Sequence, residues 1–207
     1  VFGLCQPGHG VDERHQPRPV VDVHLALQCA VDHRPVRHLR QQQRLFVRSS
    51  TQYVDDWHAL RERLGGGGRV RLGIAFHSLR AVGPRAMGEV LAWRAGAAPS
   101  MPVHIHVAEQ VQEVHECEAW SGRRPVEWLL DRGWVDGHWC LVHATHMSDD
   151  ETRALAATAA VVCLCPTTEA NLGDGLFPLA EYLAAGGRIA IGSDSHVSVS
   201  PVEELRW

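Results

Sequence analysis

Apolar and polar residues alternate with two distinct periods from about residue 43 onward. Between the strand-like stretches, apolar residues recur every three to four positions, as expected of amphipathic helices. Strands that alternate with helices predict right-handed β-α-β units, an α/β fold and a parallel sheet, either open and doubly wound or part of an eight-stranded barrel. A period of two predicts β-strands at residues 69–76, 102–107, 139–143, 159–165 and 188–192.

Residues with capping preferences mark where two of the helices begin. Ser50 or Thr51 can cap a helix that continues to Leu64, because a side-chain oxygen accepts from the first free backbone N–H groups. Ser148 and Glu151 have the spacing of a capping box, in which each side chain bonds the other residue's backbone N–H. We therefore expect helices to start at these two positions.

Residues 1–42 differ in composition from the rest of the chain, and beyond an interrupted apolar run from Val20 to Val31 they show no clear period. They contain five of the fourteen histidines, several Gln, Arg and Pro residues and no isoleucine. We leave this segment unassigned, as an out-of-frame translation product, a disordered stretch or a long polar loop. Residues 43–207 are assigned to one partial barrel domain. Because the chain begins with valine and ends just after a predicted helix starts, we expect a fragment of a longer protein.

Composition and charge argue against several classes of partner. The formal net charge is −4, so nothing favours binding to nucleic acid or to an anionic membrane surface. No apolar run reaches the roughly 18 residues of a membrane-spanning helix, and no secretory signal peptide is visible. The six cysteines are scattered and several lie in apolar runs. We therefore expect reduced, buried thiols in a cytoplasmic protein.

Ionisable or hydrogen-bonding residues follow every predicted strand. Because the carboxyl ends of parallel strands converge on one face, we expect these residues to form one site. In the second strand His104 shares a face with His106 but lies deeper, so we expect it to be an interior residue. In chain order, the residues at or beyond the strand ends are His77 and Arg80, His106 and Glu109, His143, residues 167–171, and Asp194.

These residue types suit hydrolysis assisted by a metal ion. Zinc binds imidazole nitrogen and carboxylate oxygen, and it lowers the pKa of a bound water to about 7. We favour His106 and Asp194 as metal ligands, rather than as a core histidine and a helix cap. We favour catalysis for His143 over capping of its strand, with Glu109 as the nearby proton shuttle. Arg80 is favoured as a clamp for a substrate carboxylate over a polar loop residue, because its planar guanidinium matches that group.

Four motifs resemble the amidohydrolase superfamily and, more narrowly, its formimidoylglutamate deiminases. The motifs are His104–Gln110, Leu141–His146, Cys165–Gly175 and Gly192–His196, and the resemblance extends over residues 43–207. The Thr-Thr-Glu-Ala-Asn-Leu-Gly-Asp-Gly stretch of the third motif is the narrower marker. Related aminohydrolases that act on purine-like rings usually have Pro-x-Ser-Asn in that place.

The resemblance implies a partial (β/α)8 TIM-like barrel, with the five predicted strands as the fourth to the eighth of the metal-dependent amidohydrolase fold. It implies one zinc ion, held by His106 and Asp194. The implied reaction belongs to histidine degradation and hydrolyses N-formimino-L-glutamate to N-formyl-L-glutamate and ammonia. The resemblance also implies that the intact parent protein is a homodimer.

The resemblance further implies a role for each remaining site residue. His77 and Arg80 would contact the substrate. Asp194 would take a proton from the attacking water, and Glu109 would protonate the leaving nitrogen. His143 would stabilise the charge that develops during the reaction.

One departure from the family pattern bears on activity. Family members carry a His-x-His pair at the end of the first barrel strand, and no such pair precedes His104 here. Two protein ligands are fewer than the three or more usual at catalytic zinc, so we expect this chain to be inactive by itself. Two alternatives stay open: a related aminohydrolase acting on a ring or guanidine-like substrate, and a truncated pseudo-enzyme without catalytic activity.

Overall fold

A computed structural model describes residues 47–64 and 70–207, together with the backbone of residues 21–29. The described residues form seven strands and eight helices. In chain order they are β1 (Val21–Cys29), β2 (Val47–Arg48), α1 (Ser50–Leu64), β3 (Val70–Ser78), α2 (Pro84–Ala97), β4 (Val103–Val107), α3 (Val111–Ser121), α4 (Pro125–Leu130), β5 (Trp139–His143), α5 (Asp149–Ala157), β6 (Val161–Leu164), α6 (Pro166–Leu172), α7 (Leu179–Ala184), β7 (Arg188–Ile191) and α8 (Pro201–Glu204).

The strands form one sheet in which every described pairing is parallel. The order across the sheet is β2-β1-β3-β4-β5-β6-β7. From β3 to β7, strands that follow one another in the chain also pair with one another, with helices in the connections. The predicted α/β class is therefore confirmed, and the carboxyl ends of these five strands lie along one edge of the sheet.

Two strands were missing from the sequence-based prediction. β1 lies within the unassigned residues 1–42, and its backbone pairs with β3 from Val21 opposite Val70 to Leu27 opposite Phe76. The short β2 was not predicted either, because two residues are too few to show a period. The other residues of the 1–42 segment lie outside the described part of the chain.

Several helix and strand boundaries differ from the prediction. β3 continues to Ser78, so His77 lies inside the strand rather than beyond its end. Residues 167–171 belong to α6. α3 was not predicted because Gln110, at its N-cap, is not a favoured capping residue and makes no side-chain capping bond. The predicted start of α5 is confirmed, including its capping box. The predicted cap of α1 is wrong by one residue, because Ser50 is already helical and Oγ of Ser49 accepts from the Gln52 backbone N–H at 3.1 Å.

The hydrophobic core lies between the sheet and its helices. Ile74, Ile105 and Leu141, on three neighbouring strands, are at most 1% exposed, and they pack with helix residues such as Met87 and Leu129. Burying each such side chain contributes about 1.5–3 kcal/mol relative to leaving it in water. This packing holds the strands, and hence their carboxyl ends, in fixed register.

The opposite face of β5 and β6 carries a smaller buried cluster. It contains Cys140, Val142, Cys163 and Cys165. These three cysteines and Cys117 are buried free thiols, as predicted for the part of the chain whose side chains are described. Among the described helices, none is long and apolar enough to cross a membrane.

Candidate metal and catalytic site

β4 delivers His106 to the carboxyl edge of the sheet. His104, on the same face of the strand, is only 7% exposed, as expected of an interior residue. The Nδ1 atom of His106 lies 2.7 Å from the carbonyl oxygen of His77. Because a carbonyl oxygen can only accept, Nδ1 carries the proton and the Nε2 lone pair of His106 is left for another group.

The two neighbouring imidazoles of His77 and His106 are held neutral. Their ring centroids are 5.4 Å apart. Burial, followed by the nearby His106 and the charge of Arg80, lowers the pKa of His77 to about 4. Burial likewise lowers the pKa of His106. A neutral imidazole is the form that binds a metal ion, so this electrostatic setting favours ligation at Nε2 of His106.

His143 ends β5 in an unusual backbone conformation. His143 and Ala144 have φ angles of 69° and 49°, which L-residues seldom adopt. The chain is held there by the Ala144 backbone N–H, which lies 3.0 Å from the carbonyl oxygen of Val107 on β4. Such strain persists only where surrounding contacts impose it, as this hydrogen bond to β4 does here.

Each nitrogen of the His143 ring faces a carboxylate. Nδ1 lies 3.0 Å from Oε1 of Glu169, and Nε2 lies 3.6 Å from Oε1 of Glu109. Burial opposes the charged form, but the hydrogen bond to Glu169 and the negative charges of Glu109, Glu169 and Asp194 outweigh it. The pKa of His143 is therefore raised. The ring is placed to exchange a proton with Glu109.

Glu109 also faces the guanidinium of Arg80. Nη2 of Arg80 lies 3.4 Å from Oε2 of Glu109 and 3.8 Å from Oε2 of Glu113. Glu113, on α3, accepts a hydrogen bond of 3.1 Å from the Glu109 backbone N–H, just after Ala108, whose φ is 50°. Burial raises the pKa of Glu113. Glu113 thus supports both the turn that carries Glu109 and the approach of Arg80.

Asp194 enters from the turn after β7. Its φ is 41°, a further positive value at this edge of the sheet. The adjacent Ser195 is tied to α6, because its backbone N–H donates to Oγ1 of Thr168 at 3.2 Å and the two hydroxyl groups lie 2.9 Å apart. These bonds join the turn after β7 to α6, and the Asp194 carboxylate next to them lies near the histidines.

Three of these residues form a group that could hold a metal ion. One ligand atom from each of His106, His143 and Asp194 lies within 4.8 Å of the other two. The imidazole of His106 and the carboxylate of Asp194 are donor types that zinc binds, and the His143 imidazole lies within reach of the same point. The bond from Nδ1 of His106 to a carbonyl is also the arrangement usual for a metal-bound histidine. The residues present therefore fit zinc.

A second group overlaps the first and is less suited to a metal ion. It consists of His143, Cys165 and Glu169, and all three residues are buried. Oε1 of Glu169 already accepts hydrogen bonds from His143 and from the Cys165 backbone N–H, so it is not free to bind an ion. Chemistry at this edge is therefore centred on the first group.

The structure brings the six residues predicted from the sequence to one place. His77, Arg80, Glu109 and Asp194 all lie beside the His106–His143 pair. Sequence reasoning missed two carboxylates, Glu113 and Glu169. Glu113 follows Glu109 by four residues, a helical spacing that could have marked it had α3 been predicted. Glu169 is the single ionisable residue among residues 167–171, but its position in the sequence does not reveal which side chain it contacts.

Comparison with known proteins identifies close relatives by sequence. The model of the amidohydrolase family matches residues 25–207. Formimidoylglutamate deiminase from Pseudomonas aeruginosa is 54% identical over 165 residues, which make up 80% of this chain and 36% of that protein. The present chain thus spans little more than a third of that relative.

Solved structures agree with this assignment. An amidohydrolase from Brucella melitensis matches with a TM-score of 0.76 and 50% identity, over 81% of this chain and 37% of that one. An adenosine deaminase from Xanthomonas campestris with bound zinc matches in fold, with a TM-score of 0.67 and 23% identity, over 85% of this chain and 36% of that one. The neighbours are TIM barrels, so the predicted partial (β/α)8 fold is confirmed. The chain belongs to the amidohydrolase family.

Proposed function

We propose that the protein to which this chain belongs hydrolyses N-formimino-L-glutamate to N-formyl-L-glutamate and ammonia. The observation that carries the proposal is the donor group of His106, His143 and Asp194, with Glu109 3.6 Å from His143 and 3.4 Å from Arg80. The 54% identity to a formimidoylglutamate deiminase supports this substrate. The site combines groups for a metal ion, for proton transfer and for a substrate carboxylate.

His106 and Asp194 are the proposed ligands of one zinc ion, and His143 is within reach of the same point. When bound, zinc would polarise the amidine and lower the pKa of a water molecule to about 7. The neutral state of His106 and its fixed Nδ1–H tautomer leave Nε2 available for this ion without loss of a proton.

Arg80 and His77 are the proposed substrate contacts. The Arg80 side chain is 37% exposed, so its guanidinium is open to a ligand on one side while Glu109 and Glu113 hold it on the other. A guanidinium pairs with a carboxylate through two parallel hydrogen bonds, which suits the glutamate part of this substrate. This placement would set the formimino group above the histidines.

Glu109, His143 and Asp194 are the proposed proton carriers. Asp194 lies beside both histidines and would accept a proton from the attacking water. Glu109 would deliver a proton to the departing nitrogen, since one of its oxygens already lies near Nε2 of His143. His143 would stabilise the negative charge that develops on the reacting oxygen, because its raised pKa lets Nε2 take up a proton more readily than an ordinary histidine does.

Ammonia release from formiminoglutamate tests the proposal. We expect turnover by the whole protein with zinc, none by the present chain alone, and none with a purine analogue. In the whole protein, Arg80→Ala should raise KM at least tenfold through loss of a charge-assisted contact of about 1.5–3 kcal/mol. Arg85→Ala, which removes an exposed arginine of α2 that pairs with Glu89, is the matched control. Turnover of the purine analogue instead would refute the proposed substrate.

Zinc titration of the chain by calorimetry gives a readout independent of turnover. His106→Ala and Asp194→Ala should each weaken zinc binding at least tenfold, because each removes one of few ligands. His115→Ala is the control, since His115 is an exposed histidine on α3. Equal affinity in the wild type and both ligand variants would refute the assignment of His106 and Asp194.

A further inference from the structure

The neutral ring of His143 has two possible tautomers, and the groups around it stabilise one of them more than the other. His143 stands at the end of β5 with a positive φ angle, and both nitrogens of its ring face carboxylate side chains. The ring is 1% exposed, which leaves almost no water to satisfy either nitrogen. The choice of tautomer therefore depends on the two facing carboxylates, Glu169 and Glu109.

Of these two carboxylates, Glu169 is the one held in place by an additional backbone hydrogen bond. Its Oε1 atom accepts a 2.8 Å hydrogen bond from the Cys165 backbone N–H and lies 3.0 Å from Nδ1 of His143. One oxygen thus bridges the N-cap of α6 and the imidazole. The side chain is 9% exposed, so both contacts are shielded from water. A carboxylate oxygen in this position accepts a hydrogen bond, which places the ring proton on Nδ1.

Glu109 competes for the same proton from the other side of the ring. Its Oε1 atom lies 3.6 Å from Nε2, and its side chain is 16% exposed and also paired with Arg80. A contact of 3.6 Å is too long for a good hydrogen bond, whereas 3.0 Å is not. Without Glu169, Glu109 would be the carboxylate left beside the ring, and it would draw the proton to Nε2.

We propose that Glu169 is a positioning residue that selects the Nδ1–H tautomer of His143 and aims the Nε2 lone pair at the metal-ligand group. With the proton on Nδ1, Nε2 can accept a proton or an ion from the side of His106 and Asp194. With the proton on Nε2, that side of the ring carries a donor and no lone pair. The choice of tautomer does not depend on which reaction the protein catalyses. The effect of Glu169 on the reaction rate, in contrast, rests on the proposed function.

The tautomer can be measured directly from the imidazole ¹⁵N chemical shifts of the chain. The measurement is made without added metal, at a pH raised until the His143 shifts no longer change. In the wild type, Nδ1 of His143 should show the shift of a protonated nitrogen and Nε2 that of an unprotonated one. In Glu169→Ala the two shifts should exchange. In Glu169→Gln they should stay as in the wild type, since the amide oxygen still faces the Cys165 N–H.

A buried carboxylate elsewhere provides the matched control. Glu151 is 3% exposed and accepts bonds from Arg124 and two backbone N–H groups, so Glu151→Ala also removes a buried acceptor. It should leave the His143 tautomer unchanged. An unchanged tautomer in Glu169→Ala would overturn the proposal, and so would the same exchange of shifts in Glu151→Ala.

Kinetics of the whole protein then separate the two claims. Glu169→Ala should lower kcat for formiminoglutamate about a hundredfold with KM within about threefold, as expected for a misdirected acid–base group. Glu169→Gln should recover at least a tenth of the wild-type kcat. Equal kcat in Glu169→Ala and the wild type would overturn the kinetic role. Absence of turnover in the wild type would refute the proposed function, and the NMR result would still decide the role of Glu169.

Discussion

Glu151 forms several hydrogen bonds with the segment that follows His143. Replacing Glu151 tests how much these bonds stabilise the protein. Its Oε2 atom accepts from Nε of Arg124 at 2.7 Å and from the Ser148 backbone N–H at 2.8 Å, while Oε1 accepts from the Glu127 backbone N–H at 3.0 Å. Arg124 in turn donates to the carbonyl oxygen of His146 at 2.6 Å. One buried carboxylate therefore fixes the first turns of α4 and α5 and the loop between β5 and α5.

The expected cost of Glu151→Ala follows from these contacts. Two backbone N–H groups at helix starts lose their acceptor, at about 1–3 kcal/mol each where water does not replace it. Arg124, whose side chain is 29% exposed, loses its closest charge partner. Breaking a buried ion pair costs about 3–5 kcal/mol in total, and partial access of water to Arg124 favours the lower end. We expect the free energy of unfolding to fall by about 3–4 kcal/mol.

Urea denaturation followed by circular dichroism measures this loss. Asp150→Ala is the matched control, because Asp150 is the preceding residue of the same helix and its side chain is 94% exposed. The control should change the free energy of unfolding by less than about 0.5 kcal/mol. Glu151→Gln should fall between the two, since an amide oxygen can still accept from a backbone N–H. A loss below about 1 kcal/mol in Glu151→Ala would contradict the reasoning.

Three further predictions concern packing and charge. Gly187→Ala would push a Cβ into the ring of Tyr182, which is fully buried, and should lower the free energy of unfolding by about 1–3 kcal/mol. An unchanged midpoint in urea denaturation would contradict this. Arg132→Ala removes a guanidinium that lies 3.4 Å from the Trp128 ring centroid, and it should lower the free energy of unfolding by about 0.5–1 kcal/mol. Equal stability of the variant and the wild type would show that this stacking contributes nothing. His77 should stay neutral down to about pH 4 in an NMR titration. Because the unfolded chain then binds more protons, His77 should make stability fall as pH drops from 6.5 towards 4, and a titration midpoint near 6.5 would be inconsistent with its burial.

The strands that carry the site were predictable because their signal is local. Val103, Ile105 and Val107 alternate with His104 and His106, because one face of β4 packs in the hydrophobic core and the other carries the histidines. A polar residue directly after an apolar strand is equally visible in the sequence. For this reason the positions of His106, His143 and Asp194 at one edge followed from the parallel topology alone.

The supporting carboxylates were not predictable, because their contacts depend on the path of the chain. Glu169 lies 26 residues after His143, and only the pairing of β5 with β6 brings α6 to that ring. Glu113 acts through backbone N–H groups that any residue would offer. β1 was missed for a different reason. Val21, Val23, Leu25 and Leu27 do alternate with other residues, but the unusual composition of residues 1–42 outweighed this short period in the prediction.

The positive φ angles at the carboxyl edge determine which substitutions there could stabilise the protein. Ala108, His143, Ala144 and Asp194 each hold a conformation that costs an L-residue about 1–3 kcal/mol. At His143 and Asp194 a glycine would relieve the strain but delete a functional group, so stability and activity oppose each other there. At Ala108 and Ala144 only a methyl group would be lost. A search for thermostable variants should therefore recover glycine at these two alanines and leave the histidine and the aspartate unchanged.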